Sequence, residues 1–148
     1  MTIGRRRGVL AIVLSLAAAV VCAGPCAARA DDAVILYLRN TGAEPLHCRL
    51  LFGHWVDRDL GELMPSHGVE ITMQQSAKDG ALYIPRDDRQ RLMMIETIVC
   101  GRDGDWMASF GQVDLAPLRV VRPTRVTASC AAPASAGRVA CPPPVIER

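Results

Sequence analysis

The sequence predicts an all-β fold, a small disulfide-stapled β-sandwich with a small β-barrel as the alternative. Three observations carry this. Between Asp31 and Cys130 the apolar runs are short and densely punctuated by Gly, Pro, Asn and Asp. Four cysteines remain once an N-terminal leader is set aside, an even count of the kind that frames small exported domains. The leader itself has the three parts of a secretory signal peptide, an apolar helix in the precursor.

The leader is residues 1–30. Arg5, Arg6 and Arg7 open it, Val9 to Val21 is free of charge, and Ala28-Arg29-Ala30 closes it with an A-x-A-type cleavage pattern. That apolar centre is too short to span the roughly 30 Å of bilayer hydrocarbon comfortably. Val21 and Pro25, just before Cys22 and Cys26, argue against a lipid anchor at either cysteine. Arg6-Arg7 fits a loose twin-arginine pattern, so the general secretory and twin-arginine routes both stay open. The expected product is periplasmic or secreted, starts at Asp31 and has no further membrane span.

Removing the leader changes the charge. Four of the seventeen basic residues go with it, leaving thirteen against fifteen acidic, so a net charge of +2 becomes −2. The one basic cluster, Arg86 to Arg91 (RDDRQR), is offset by Asp87 and Asp88. No phosphate-tracking surface is implied, and nucleic acid is excluded as an expected partner.

Within residues 31–130 the strands are read in order. Ala33–Arg39 (AVILYLR) is a continuous apolar, β-branched run suited to a central buried strand, turned by Asn40-Thr41-Gly42. Leu46–Phe52 alternates, with Leu46, Cys48, Leu50 and Phe52 on the core face and His47, Arg49 and Leu51 on the other. Leu60–Met64 leads through Pro65-Ser66-His67-Gly68 into Val69–Met73, and Ala81–Ile84 runs from Asp79-Gly80 to Pro85. Leu92–Cys100 is ambiguous: Asp87 and Gln90 resemble a helix capping box, but Ile95, Thr97, Ile98 and Val99 favour a strand. Asp103-Gly104 then turns the chain into Trp106–Phe110 as a hairpin. Val120–Cys130 is the last strand, and Pro123 within it places it at an edge.

Some seven strands of this kind pack as an immunoglobulin-like sandwich in general shape. The antibody-type Cys–Trp–Cys spacing is absent, since Trp55 follows Cys48 by only seven positions. Residues 131–148 form an Ala/Pro-rich tail, read as irregular and tied down only by Cys141. Among the three possible connectivities, Cys48–Cys100 and Cys130–Cys141 are favoured. The first pair ends or centres apolar segments that could face each other across two sheets, and the second closes an otherwise unordered stretch.

For function, the sequence favours a non-catalytic exported protein that binds another protein or an envelope component. The rival is a periplasmic metal-binding or small hydrolytic protein built on His47, His54 and His67, with Asp57 and Asp59 nearby. These histidines are scattered over separate segments and are the only, weak, metal candidates; no cofactor is implied. Met64, Met73, Met93, Met94 and Met107 do not cluster and read as core filling in a chain poor in aromatics. Asp103-Gly104-Asp105 lacks the remaining ligands of a calcium loop. No serine has a nucleophile-elbow context, and oxidised cysteines leave no thiolate, so catalytic residues are not assigned. A protease inhibitor presenting a disulfide-braced loop between Cys130 and Cys141 is a third class. Intact-mass measurement of the exported protein should find Asp31 at its N-terminus; a species in the membrane fraction that retains residues 1–30 would refute cleavage.

Overall fold

A computed structural model describes residues 32–53, 56–86 and 91–147. The leader, Asp31, His54, Trp55, and the capping candidates Asp87 and Gln90 lie outside them. The strands are β1 (Asp32–Asn40), β2 (Leu46–Phe52), β3 (Val56–Leu63), β4 (Gly68–Gln75), β5 (Leu82–Pro85), β6 (Leu92–Arg102), β7 (Gly111–Val113), β8 (Arg125–Cys130) and β9 (Val145–Ile146). Two single turns of helix, α1 (Trp106–Ser109) and α2 (Ala116–Val120), flank β7.

The chain is mostly β, and its strands form one mixed sheet in the order β3-β2-β6-β5-β4-β1-β8-β9, with β7 also on β6. Every pairing is antiparallel except β1 with β8. The hydrogen-bonded path therefore runs unbroken where two separate sheets were anticipated. Its continuity comes from β6: Leu92, Met93 and Met94 pair with β5, while Ile95 to Arg102 pair with β2. The β2–β6 ladder skips Glu96, pairing Phe52 with Ile95 and Leu51 with Thr97. An extra residue of this kind bends a strand and raises its twist. It also shifts the inward positions from Ile95 to Ile98 and Cys100, all buried. One core cluster accordingly draws Val34, Leu36 and Leu38 from β1, Leu50 from β2, Met73 from β4, Leu82 from β5 and Val126 from β8.

The alternation read for β2 is present: Leu46, Cys48, Leu50 and Phe52 are buried, and His47, Arg49 and Leu51 lie between them half exposed. β1 is central, between β4 and β8, but only its alternate residues are fully buried; Tyr37 stays 36% exposed. The ambiguous segment after Arg91 is strand, as its β-branched residues favour.

Three local expectations are corrected. Trp106–Ser109 is a helical turn, closed by the Ser109 hydroxyl, which donates to the Asp105 carbonyl at 2.7 Å and accepts the Arg102 N–H at 2.8 Å. The hairpin return is supplied only by Gly111–Val113. Ala116–Val120 is likewise helical, with Pro117 in its first turn, where a missing N–H costs nothing. Pro123 then lies before β8, buried, and β8 sits between β1 and β9 with no edge exposed by proline.

Both disulfides are formed. Cys48 and Cys100 stand directly opposite in the β2–β6 ladder, each fully buried, so the bond staples neighbouring strands rather than facing sheets. Cys130–Cys141 joins the end of β8 to the segment that follows it. That segment is not held by Cys141 alone. Ala131 bridges Ala140, Val139 is only 4% exposed within the core, and β9 pairs with β8. Gly111 has no side chain to obstruct this docking: a Cβ there would collide with the Val139 carbonyl.

Loop-closure entropy assigns about 4 kcal/mol to the 52-residue separation of Cys48 and Cys100 and under about 3 kcal/mol to the 11-residue separation of the second pair. Core anchoring of the tail narrows that gap. Replacing either pair by alanine should cost about 2–4 kcal/mol. Melting under oxidising conditions checks this, and a Cys130→Ala/Cys141→Ala protein as stable as wild type would show that the tail is peripheral.

Candidate functional site

On β2 the outward residues are His47, Arg49 and Leu51. Pairing sets Glu62, Asp59 and Asp57 of β3 beside them on one flank, and Gly101, Val99 and Thr97 of β6 on the other. Opposite charges therefore meet across the β2–β3 pair. His47 Nε2 lies 2.8 Å from Asp59 Oδ1, and Arg49 lies 3.3 Å from Asp57. The Gly61 N–H, donating to the Asp59 carboxylate at 2.8 Å, is the main reason that Asp59 titrates below the usual carboxylate range; His47 and Arg49 add to it. These pairs are open to water, so each contributes little to stability.

Trp106 of α1 covers the β6 flank. Gly101 makes room for it: a Cβ there would lie 2.7 Å from the indole Cδ1. The indole N–H donates to the His47 carbonyl at 3.2 Å. Its ring stacks on Phe110, with centroids 5.4 Å apart, and Arg49 lies over its face at 5.1 Å. Arg138 covers Phe110 at 5.5 Å, completing the row Arg49–Trp106–Phe110–Arg138. Each cation–ring contact at such an exposed site is worth about 0.5–1 kcal/mol.

Two hollows lie on this side of the sheet's β2–β3 end, and the smaller adjoins the row through Arg49 and Trp106. One, of about 430 Å³, is lined by Arg49, Leu51, Phe52, Val56, Asp57, Glu96 and Trp106. The other, of about 550 Å³, is lined by Phe52, Gly53, Val56, Asp57, Arg58, Arg86 and Arg91 to Met94. They share Phe52, Val56 and Asp57, and so flank the first residues of β3, the outermost strand of its half of the sheet. Arg58 lies over Phe52 at 5.8 Å and donates to the Pro85 carbonyl at 3.0 Å, linking the β2–β3 end of the second hollow to β5. Val56, Leu92 and Met94 are large apolar residues left more than 40% exposed at its rim.

The histidine candidates have separate surroundings. His47 is engaged by Asp59 on the strand face. His67 lies in the β3–β4 turn, its Nδ1 3.0 Å from the Pro65 carbonyl, and His54 lies outside the described residues. Among the described residues, no group of three His, Cys, Asp or Glu side chains could hold a metal ion. Met73 is in the core and Met93 packs against it, while Met64, Met94 and Met107 are exposed on different elements. The sequence reading missed Trp106, Phe110 and the Phe52–Val56 hollows. Its one available signal was Gly101, since a glycine inside an apolar strand marks a close approach by another group.

Gly101→Ala should push the indole off β6 and destabilise the fold by about 1–3 kcal/mol, the usual cost of overpacking. Near-ultraviolet circular dichroism with thermal melting would register both effects. An unchanged aromatic signal would show that Trp106 does not rest on Gly101.

Compared with known proteins, the chain matches no family model, and no similar curated protein or solved structure was found.

Proposed function

We propose that the chain is a non-catalytic exported protein, periplasmic or secreted, that binds another protein or envelope component at the start of β3. Its occupant, on this reading, is an extended segment of an exported partner. The observation that carries it is the pair of hollows sharing Phe52, Val56 and Asp57. An extended chain directs alternate side chains to opposite faces, so a segment laid along an edge strand can fill a hollow on each side while its backbone bonds to the edge. We read the curved sheet as a sandwich whose two halves enclose one core, with β6 as the strand common to both.

Export is supported by the leader and by the two disulfides, since such bonds persist in oxidising compartments. Among the described residues, no helix is long and apolar enough to cross a membrane.

The test is site-specific crosslinking in envelope extract, with a photoreactive side chain at Leu92 or Met94 and, as control, at Thr127 on β8. A discrete partner should crosslink from the hollow and not from Thr127, and should be lost when Val56→Lys is added to a protein that melts normally. Equal crosslinking from all three positions would sink the proposal. So would about one zinc or copper per chain surviving dialysis against chelator, which would favour the metal-binding reading.

A further inference from the structure

The stretch between Cys130 and Cys141 is built unlike an ordinary surface loop. The disulfide closes it covalently, and Ala131 and Ala140 close it again just inside, exchanging backbone hydrogen bonds of 3.0 and 2.9 Å. Arg102, at the end of β6, reaches into it with a side chain only 17% exposed. Its guanidinium donates to three alternate carbonyls, Pro133 at 2.5 Å, Ser135 at 3.0 Å and Gly137 at 2.9 Å. Its Nε is fixed by Glu44 at 2.7 Å. The far leg is anchored by Val139, whose N–H donates to the Ser109 carbonyl at 2.6 Å. The loop is thus a convex knuckle around a held cation, with Ala134, Ser135 and Ala136 exposed at its crest. Among the described residues, the Ala134 and Ala136 carbonyls accept no hydrogen bond.

We propose that this knuckle is a substrate-like inhibitory loop for an exported serine protease with a small primary pocket, and that Ala134 enters that pocket. A protease cleft takes a projecting chain whose carbonyl at the attacked bond can enter the oxyanion hole. Ala134 offers a free carbonyl, and Pro133 before it fixes φ and reduces the entropy lost on binding. Its methyl group suits an elastase-type pocket, whereas trypsin- and chymotrypsin-type pockets need a long cation or a large apolar group.

The bracing is what distinguishes an inhibitor from a substrate. Hydrolysis of the Ala134–Ser135 bond consumes one water and yields a carboxylate on Ala134 and an amine on Ser135. Neither new end can depart. Cys130–Cys141 still joins the two pieces, and one guanidinium holds Pro133 on one side of the break and Ser135 and Gly137 on the other. The amine stays beside the acyl carbon, so re-formation of the peptide bond, with loss of that water, competes with release. None of this depends on the hollows beside β3.

The experiment mixes the oxidised protein with elastase-, chymotrypsin- and trypsin-type serine proteases. Stoichiometric inhibition confined to the elastase-type enzyme is expected. Ala134→Arg, at an exposed position, should weaken that inhibition at least about tenfold and create inhibition of the trypsin-type enzyme, because discrimination follows what fills the pocket. Arg102→Ala should turn the protein into a substrate, cut at Ala134–Ser135 at least about tenfold faster as the loop loses its preorganisation. The proposal is overturned if wild type inhibits none of the three, if it inhibits only the other two, if it is rapidly cut and released, or if Ala134→Arg gains nothing against the trypsin-type enzyme.

Discussion

Strand β6 is the constraint on which the rest of the architecture hangs. It alone pairs with β5, β2 and β7, and it carries Cys100, Gly101 and Arg102 in succession. The skipped Glu96 lets one end belong to the β5 side of the sheet and the other to the β2 side. Straightening that bulge would turn Ile98 and Cys100 away from the core, since a one-residue slip reverses every side chain beyond it. The buried disulfide at Cys48–Cys100 pins the register on the far side of the bulge, so covalent and hydrogen-bonded constraints agree on the same pairing.

Polar side chains bind the irregular segments to this frame by satisfying backbone groups that no ladder reaches. Asn40, fully buried, donates from Nδ2 to the carbonyls of Glu44 at 2.7 Å and Leu63 at 2.8 Å, and its Oδ1 accepts the Gly42 N–H at 2.9 Å. One side chain thereby ties the β1–β2 turn to the end of β3. Gln75 does the same for α2, donating to the Leu118 carbonyl at 2.8 Å. Arg102 does it for the segment after Cys130. Asn40 and Gln75 replace water as partners to carbonyls at buried or half-buried positions, as Arg102 does at Pro133, and loss of any one would leave those carbonyls unpaired at about 1–3 kcal/mol apiece where buried.

The candidate surfaces are consequences of the same frame. Arg49 and Trp106 meet because β2 and β6 are neighbours and Gly101 leaves the face clear. The hollows at Phe52 and Val56 exist because β3 is outermost. The knuckle is convex because Arg102 emerges from the end of β6 beneath it. Neither surface needs a catalytic group, and both present backbone as much as side chain.

The sequence by itself determined the strands whose patterns are local: the alternation of Leu46–Phe52, the β-branched run of Leu92–Cys100, and the reversals at Asn40 and Asp103. Period-two burial is written in consecutive residues, so it can be read without knowing the neighbours. Cysteine placement on inward positions made the Cys48–Cys100 pairing legible, and the short stretch between them did the same for Cys130 and Cys141. Tertiary structure alone decided that β1 and β8 run parallel, that β6 joins two halves in one sheet, and that residues after Cys130 enter the core. It also decided that Trp106–Ser109 and Ala116–Val120 are helical turns. Those outcomes rest on contacts between segments distant in the chain, and a carbonyl does not reveal in its own sequence which arginine will reach it.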